Sequence, residues 1–331
     1  MDYRVLGKTG LRVSQLGFGC GDVGGLMVRG EPKDRVRAVA QAQSLGINYF
    51  DTAAAYGNGV SETNLGLALK ELNADVYVGT KVGLTSEERT DIRAGIVASV
   101  ERSLTRLGRD YVDLIQLHNR ISSSTPLAER DLSSDDVAGE VVNTFRDLQT
   151  QGKVRFFGFT GLGDTSALHK TIDSGMLDTV QVCYNLLNPS AGTTVSQDFY
   201  GQDFGQLIGR AKTQNVGVIA IRVLAAGALS GVAHRHPVAI PSVAPIGSGR
   251  DYDEDLRRAS AFQFLVSEGA VENLVEAALR FVLSNQGVAT ALVGFSSLEQ
   301  LEKSAEWASK GALPVADLDR ISPVWSQFST S

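Results

Sequence analysis

The chain has 331 residues, of which 43% are hydrophobic and 21% are charged, a balance that is ordinary for a globular protein with a large core. Its net charge of −6 argues against a surface for nucleic acid or for anionic membranes, because both need a basic footprint. Cys20 and Cys183 lie far apart, which argues against a disulfide framework. With no signal-like start and no run of about 18 apolar residues, we expect a cytoplasmic protein.

The first predicted element is a β-hairpin. Residues 3–19, YRVLGKTGLRVSQLGFG, alternate in polarity around a turn at Lys8–Gly10 and end in a buried strand. From there, short β-branched or aromatic runs alternate with longer amphipathic stretches that are typical of helices. The predicted strands cover residues 15–19, 47–53, 76–82, 112–118, 154–160, 179–185, 216–222 and 289–295.

This alternation of strands and helices predicts the fold. Eight short strands joined by crossover helices imply a parallel sheet, and eight strands are enough to close a (β/α)8 TIM barrel. No change in composition marks a second domain, so we expect one domain over residues 1–331. The long irregular stretch 231–251 follows the seventh strand, and we expect this loop to lie over the mouth of the barrel.

Four ionisable residues lie at or just after the ends of neighbouring predicted strands. Strand two ends at Asp51, with Tyr56 in the loop that follows, while Lys81 and His118 end strands three and four. Active sites of (β/α)8 barrels lie at the carboxyl ends of the strands, so these side chains should meet at one face. Each has a structural interpretation when taken singly, such as a helix cap for Asp51 or a core position for His118. The set of four favours catalysis.

This combination of groups suits the reduction of a carbonyl. Hydride transfer to a carbonyl carbon creates an alkoxide, which needs a proton and positive surroundings. A tyrosine with a free pKa of about 10 is a poor proton donor at neutral pH, and a nearby ammonium lowers that pKa. We therefore assign Tyr56 as the proton donor and Lys81 as the group that tunes it. Asp51 is assigned as the partner of Lys81, and His118 as the residue that orients the carbonyl oxygen.

The motifs around these residues resemble a known family. DTAAAYGNGVSE, VGTKVG and DLIQLH look like the three signature stretches of the aldo-keto reductase superfamily, and LGKTGLRVSQLGFG resembles its opening hairpin. QGKVRFFGFTG, VQVCYNLLN and VGFSSLEQLEKS resemble its fifth strand, its sixth strand and the segment after its eighth strand. The resemblance covers nearly the whole chain. It implies a barrel with a nicotinamide cofactor across its mouth and a catalytic tetrad of Asp51, Tyr56, Lys81 and His118.

The resemblance also implies where the cofactor lies. Gln181 and Thr160 should contact the nicotinamide amide, and Leu224 and Gly227 should approach the pyrophosphate. The segment after the eighth strand should contact the adenosine end. The cofactor-binding residues that we expect are Cys20, Asp51, Thr160, Gln181, Arg222, Leu224, Gly227, Gly294, Ser296, Gln300 and Ser304, and we expect no metal ligand.

Departures from the family's common pattern affect the cofactor. Ile221, followed by Arg222, replaces an aromatic residue that often stacks on the nicotinamide. The basic residue that often binds a 2′-phosphate is absent at Ser296–Ser297, and Ser304 stands where asparagine is usual. We expect NADP(H), because it is the usual cofactor of the family, and NAD(H) stays open. Arg222 or Arg250 could supply the charge that a 2′-phosphate requires.

Two shorter motifs suggest other dinucleotide-binding folds. GCGDVG at residues 19–24 matches the glycine fingerprint that follows a strand, but the next helix begins near Pro32 rather than inside the motif. Tyr77 and Lys81 form the Tyr-x-x-x-Lys pair of short-chain dehydrogenases. That pair belongs on a helix, whereas VYVGTKV is typical of a strand. We therefore favour neither interpretation.

Polar residues in and after the long loop have simple interpretations. His234 and His236 are spaced as metal ligands can be, but no third ligand is evident, and a surface loop is the better interpretation. The run Asp251–Asp255, with Arg257 and Arg258 behind it, predicts a solvated start of a helix.

We expect an NAD(P)(H)-dependent oxidoreductase that interconverts an aldehyde, ketone or sugar hemiacetal with the alcohol or lactone. One alternative is an NAD-dependent aldose or pyridoxal-type dehydrogenase that works in the oxidative direction. A second is a non-catalytic cofactor-sensing subunit, like the channel-associated members of the superfamily. A third is a lyase or aldolase with a Schiff base at Lys81, which a nearby carboxylate disfavours. The oligomeric state stays unknown.

Overall fold

The chain opens with an antiparallel hairpin. In the computed structural model, which describes residues 1–124 and 127–328, β1 (Tyr3–Val5) pairs with β2 (Arg12–Ser14). The turn between them includes Gly7, with a φ of 50°, where a Cβ atom would lie only 2.3 Å from the backbone nitrogen of Gly217. The hairpin therefore docks closely on the start of a later strand, and the predicted hairpin is confirmed.

Eight parallel strands form a closed barrel next to this hairpin. Their order around the barrel follows the chain, and the last strand pairs with the first. The strands are β3 (Leu16–Gly19), β4 (Tyr49–Asp51), β5 (Tyr77–Val82), β6 (Val112–Leu117), β7 (Val154–Thr160), β8 (Thr179–Cys183), β9 (Gly217–Ile221) and β10 (Val288–Gly294). The predicted (β/α)8 barrel is confirmed, and every predicted strand overlaps an observed one.

Helices follow the strands and pack around the barrel. They are α1 (Leu26–Arg29), α2 (Pro32–Ser44), α3 (Val60–Leu72), α4 (Ile92–Leu107), α5 (Ser134–Asp136), α6 (Val142–Thr150), α7 (Thr165–Asp173), α8 (Leu207–Thr213), α9 (Tyr252–Ser260), α10 (Phe264–Ser267), α11 (Leu274–Ser284), α12 (Leu298–Ser309) and α13 (Val315–Trp325). Within residues 1–124 and 127–328, none of the helices has the length and apolar character needed to cross a bilayer.

Local sequence determines where several of these helices begin and end. The side chains of Asp91 and Ser297 accept hydrogen bonds from backbone N–H groups in the first turns of α4 and α12. Gly108 ends α4 in the left-handed conformation that glycine adopts at low cost. The cap at Ser297 fixes the first turn of α12 at the carboxyl end of β10, beside the mouth of the barrel.

The hairpin closes one end of the barrel. Leu6 and Val13, both fully buried, pack in one cluster with Tyr49, Leu114 and Ile219 of the barrel strands. Because the hairpin docks at the start of β9, this cluster fills the amino-terminal end of the strands. The carboxyl-terminal end is left for a functional site, as in other (β/α)8 barrels.

The long loop over residues 231–251 lies across the mouth of the barrel, as predicted. The Arg235 guanidinium donates hydrogen bonds to the backbone carbonyls of Val23 at 3.3 Å and Ala226 at 2.8 Å. Arg29 donates to the carbonyl of Val238 at 2.8 Å. These contacts tie the loop to the segments that follow β3 and β9.

Candidate active site

The four predicted catalytic residues meet at the carboxyl end of the barrel. β4 ends at Asp51, Lys81 is the next-to-last residue of β5, and His118 directly follows β6. Tyr56 lies in the loop after β4, where its backbone nitrogen donates to the carbonyl of Ala53 at 3.1 Å. Since β4, β5 and β6 are neighbours in the barrel, the four side chains lie side by side.

Asp51 is the centre of a buried hydrogen-bond network. Its Oδ1 contacts the Lys81 ammonium, which also donates to the backbone carbonyl of Thr52 at 2.8 Å. Its Oδ2 accepts from the Tyr49 hydroxyl at 3.1 Å and from Gln181 Nε2 at 2.6 Å. Both oxygens of the carboxylate are therefore occupied, and Lys81 is held in one position.

The protonation of Lys81 and Tyr56 is coupled. Burial, the largest single effect, favours a neutral amine at Lys81, but the charges and hydrogen bonds of Asp51 and Tyr56 together outweigh it, and the pKa of Lys81 is raised. Burial also raises the pKa of Tyr56, while the charge of Lys81 opposes that rise. The Lys81 ammonium nitrogen lies 4.9 Å from the centre of the Tyr56 ring. Lys81 acts in the expected direction, but it does not bring the pKa of Tyr56 below its usual value.

His118 lies against Tyr56 as a neutral imidazole. The two rings stand edge to face, with centres 6.0 Å apart and planes at 89°. Burial, together with the positive charges of Lys81 and Arg130, lowers the pKa of His118 to about 3. A neutral imidazole has one N–H donor, so His118 can orient a carbonyl oxygen without competing for its proton.

A cavity of about 750 Å³ adjoins these residues, a volume suited to a large ligand. Tyr56 and His118 line it, while Lys81 lies behind them. Most residues predicted to bind a cofactor also line this cavity, which we call the main cavity. They are Asp51, Thr160, Gln181, Arg222, Leu224, Gly227, Gly294, Ser296, Gln300 and Ser304.

Cys20 is not brought to the main cavity with the others. Its side chain is 1% exposed and packs in the layer between barrel and helices, together with Phe18. Residues two apart in a strand face the same side, so Phe18 and Cys20 both point outward while Gly19 faces the cavity. Cys20 is therefore outside the described lining of the main cavity, although it lies close enough to Asp51 and Lys81 to feel their charges, and its part in the cofactor site stays a prediction.

Arg222 lies near Tyr56 at the start of a strained loop. Its guanidinium donates to the carbonyl of Ala244 at 3.2 Å, and its charge opposes the rise in the pKa of Tyr56. Arg222 and Ala226 have positive φ values of 57° and 58°, and Gly227 has 108°. Positive φ is costly for residues other than glycine, and such strain is concentrated at functional sites.

Lys303, a cation that the sequence analysis did not include, lies beside the residues predicted for the adenosine end. Ser296 and Gln300 are joined by a hydrogen bond of 2.8 Å from the Ser296 nitrogen to Gln300 Oε1. Lys303, one helical turn beyond Gln300 on α12, also lines the main cavity and pairs with Glu306 at 2.9 Å. The i, i+3 spacing from Gln300 is the signal that could have identified it.

The remaining polar residues of the long loop divide between two places. His234 and His236 line the main cavity, and no group of three metal-binding side chains occurs in the part of the chain that the structure describes. Arg250 instead lines a second cavity of about 460 Å³.

Asp255 lies in α9, the helix after the long loop, and is 1% exposed. The prediction of a solvated start of the helix is therefore wrong for this residue, which accepts a hydrogen bond from Ser248 at 2.7 Å.

A (β/α)8 barrel with a phenol, a buried ammonium–carboxylate pair and an imidazole at its mouth defines a class of nicotinamide-dependent oxidoreductases. The family model described as "Aldo/keto reductase family" matches residues 15–325. The chain belongs to this family, and it is an oxidoreductase that acts on CH–OH and C=O groups.

Relatives and solved structures are similar to the chain over most of its length. L-galactose dehydrogenase of Arabidopsis thaliana is 30% identical over 309 residues, which cover 92% of this chain and 87% of the relative. A probable voltage-gated potassium channel subunit beta of the same plant is 25% identical over 316 residues, or 92% and 90% of the two chains. The holo form of an aldo-keto reductase from Bacillus halodurans has a TM-score of 0.72 at 26% identity, covering 98% of this chain and 96% of that one.

Proposed function

We propose that the protein interconverts an aldehyde, ketone or sugar hemiacetal with the alcohol or lactone, with Tyr56 as general acid and base. The observation that carries this proposal is the convergence of three groups on the main cavity. Tyr56 and His118 line that cavity, and Lys81 lies close behind Tyr56 with its charge fixed by Asp51. The nicotinamide, when bound, supplies or accepts the hydride.

The proton steps follow from the charges at the site. In reduction, Tyr56 donates a proton to the oxygen of the substrate, and the positive charge of Lys81 stabilises the phenolate that remains. In oxidation, the same phenolate accepts the proton of the alcohol. His118 donates a hydrogen bond from its single N–H to the substrate oxygen and transfers no proton. A Schiff base at Lys81 is disfavoured, because the contact with Asp51 keeps the amine protonated.

The main cavity has the chemistry to hold an extended dinucleotide. Thr160 and Gln181 would lie at the nicotinamide end, where Gln181 is already fixed by its bond to Asp51. The strained loop that includes Leu224 and Gly227 would lie at the pyrophosphate, since turns of this kind present backbone N–H groups to anions. These assignments follow the resemblance, and the positive φ values supply a reason of their own for a ligand here.

We further propose NADP(H) as the preferred cofactor, with Lys303 as the cation at its 2′-phosphate. Lys303 lies in the wall of the main cavity on the same helix as Gln300 and Ser304. Arg222, the earlier candidate, is instead directed to Ala244 near Tyr56. A charge-assisted contact at Lys303 would favour NADP(H) over NAD(H).

Turnover with each cofactor tests this proposal. The purified protein would be given NADPH or NADH with a panel of neutral aldehydes and ketones, and NADP⁺ or NAD⁺ with sugars that include L-galactose. We expect cofactor oxidation or reduction in equal amount to the product. Fluorescence titration with NADPH and NADH, run in parallel, should give the lower Kd for NADPH. Tight binding of a cofactor with no turnover of any substrate would contradict the proposal.

Such a result would favour the second candidate, a non-catalytic subunit that senses the cofactor. The similarity to a potassium channel subunit over 92% of this chain is the observation in its favour. The two functions differ in one expected result. A sensing subunit would bind a large partner protein with an affinity that depends on the oxidation state of the cofactor, whereas an enzyme requires only small molecules.

A further inference from the structure

A second cavity of about 460 Å³ adjoins the main cavity. Leu162 and Ile246 line both of them, so the two spaces share a wall. Arg120, which also lines the second cavity, lies two residues after His118 on the same loop. A substrate whose reacting carbon lies beside His118 would therefore have to pass Leu162 and Ile246 to extend into this neighbouring space.

The second cavity is rich in arginine. Arg120, Arg250 and Arg258 line it, and Glu254 is the acidic residue among its described lining. Glu254 is already engaged, because Oε1 contacts Arg258 at 2.9 Å and Oε2 accepts from the Arg250 backbone nitrogen at 2.6 Å. Among the lining residues one carboxylate faces three guanidinium groups, and Glu254 pairs with two of them, Arg250 and Arg258.

Two further carboxylates lie near the cavity, and each interacts electrostatically with one arginine, Asp164 with Arg120 and Asp255 with Arg258. Asp255 is satisfied by the Ser248 hydroxyl and the Gly249 nitrogen, each at 2.7 Å. Asp164 accepts from the hydroxyl of Ser122 at 2.9 Å and the backbone nitrogen of Ser123 at 2.8 Å. Both are thus held by uncharged donors, and neither lines the second cavity in the part of the chain that the structure describes.

Two of the arginines have unused hydrogen-bonding capacity. Across residues 1–124 and 127–328, no carboxylate oxygen lies within 4.0 Å of the Arg120 guanidinium. Nη1 of Arg258 is buried and has no partner among the same residues, although its guanidinium lies 3.3 Å from the centre of the Tyr200 ring. Arg120 is exposed, so water can reach its donors, whereas the buried Nη1 of Arg258 would gain from an acceptor brought by a ligand.

We propose that the second cavity binds an anionic group, a carboxylate or a phosphate, of the carbonyl substrate through Arg120 and Arg258. This inference rests on the proposed function and names its substrate class: carbonyl compounds, or their alcohols, that carry a negative charge away from the reacting carbon. The planar guanidinium fork matches the oxygens of both anions. Arg222 lines the main cavity and donates to the carbonyl of Ala244, so it adds positive charge between Tyr56 and the long loop.

A matched set of aldehydes tests this inference. (4-Formylphenoxy)acetate and its methyl ester share one aldehyde and differ in charge, and 4-formylphenyl phosphate tests the other anion. We expect kcat/KM of the wild-type enzyme to be at least about 10-fold higher for one of the anions than for the ester, mainly through KM. The anion with the larger preference identifies whether a carboxylate or a phosphate is recognised.

Variants of the arginines show whether the preference arises in this cavity. Arg120→Gln should bring the ratio of kcat/KM for anion over ester down to about one, and Arg258→Lys should reduce it less, because charge is kept and the fork is lost. Arg257→Gln is the control. Arg257 is exposed and lies on α9 beside Arg258, and its substitution removes the same charge. Its ratio should match the wild-type ratio.

Three results would overturn the inference. The ester could be turned over as well as both anions, or Arg120→Gln and Arg258→Lys could keep the full anion preference, or Arg257→Gln could lose it equally. In each of these cases the proposed function would stand, because aldehydes are still reduced. If all three aldehydes were inert with both cofactors, the proposed function would fail and this inference with it.

Discussion

Two buried ion pairs lie on opposite sides of strand β5 and have different surroundings. Thr80 and Lys81 are consecutive, so their side chains point to opposite faces of the barrel wall. Lys81 contacts Asp51 in the barrel interior. Thr80 donates to Glu62 at 2.5 Å in the outer layer, where Glu62 also pairs with Arg106 at 2.6 Å. Both carboxylates are almost completely buried, at 3% for Asp51 and 0% for Glu62.

The difference between the pairs lies in what adjoins them. The inner pair, Asp51–Lys81, adjoins the main cavity: Asp51 lines it, and Lys81 lies behind the phenol and the imidazole that also line it. The outer pair, Glu62–Arg106, joins α3 and α4 to β5, and neither residue lines the main cavity in the described part of the chain. Burial of an ion pair is therefore no sign of catalysis. Access from the pair to a cavity, through a group that can transfer a proton, is the informative feature.

Removal of the inner cation should have the largest effect. In Lys81→Met, Asp51 stays buried without its ammonium, and the phenolate of Tyr56 loses its stabilising charge. We expect kcat to fall by about 1,000-fold, as for the loss of a general acid. Steady-state kinetics, with circular dichroism as a check of folding, measures this. A kcat within tenfold of wild type would show that the inner pair is only structural.

Removal of the outer cation should affect stability instead. In Arg106→Met, Glu62 keeps its hydrogen bond to Thr80 but loses its charge partner. We expect the free energy of unfolding in urea to fall by about 2 to 3 kcal/mol, below the range for a fully buried pair because the Arg106 side chain is 26% exposed. Turnover per folded molecule should equal that of wild type. A loss of turnover like that of Lys81→Met would erase the contrast between the pairs.

The stability of the protein in acid should depend on His118, which belongs to the inner cluster with Tyr56 and Lys81. The folded pKa is about 3, well below the unfolded value of about 6.5, so below pH 6.5 the unfolded chain binds a proton that the folded chain does not. This difference in proton binding does not affect the free energy of unfolding above pH 6.5. As the pH falls from 6.5 towards 3, it destabilises the folded state increasingly. Between pH 6 and pH 4, His118→Gln should lose about 2 kcal/mol less stability than wild type in urea unfolding. Equal losses would show that His118 titrates normally when folded.

An exposed pair at the rim of the main cavity should give the smallest effect. The side chains of Lys303 and Glu306 are 46% and 48% exposed, so their mutual attraction is weak. We expect Lys303→Gln to raise the Kd of NADPH by about three- to tenfold and to leave that of NADH unchanged. Fluorescence titration measures both. An equal change in Kd for the two cofactors would show that Lys303 does not contact the 2′-phosphate.

Much of this architecture is predictable from sequence because it follows local periodicity. Strands with polar residues at their carboxyl ends brought Asp51, Lys81 and His118 to one face without knowledge of any contact. The same alternation predicts the outward direction of Cys20, because Phe18 precedes it by two residues. We placed Cys20 in the cofactor site from its position in the chain alone.

Other features depend on distances across the barrel or on irregular segments. The bond from Gln181 to Asp51 joins strands that are not neighbours in the barrel, so no local pattern predicts it. The second cavity combines the loop after β6 with residues 200–202 and 245–250, which have no regular periodicity. The location of Arg222 near Tyr56 depends on a positive φ, which its residue type does not suggest.

The central claim is that the phenol of residue 56 transfers the proton. Tyr56→Phe removes one hydroxyl beside Lys81, and Tyr77→Phe removes one from the same strand as Lys81, outside the described lining of the main cavity. Single-turnover oxidation of NADPH by an aldehyde, measured by stopped flow at saturating cofactor, compares the two. We predict a loss of at least about 100-fold in Tyr56→Phe with NADPH binding kept, and no loss in Tyr77→Phe. Hydride transfer at the wild-type rate in Tyr56→Phe would contradict the account.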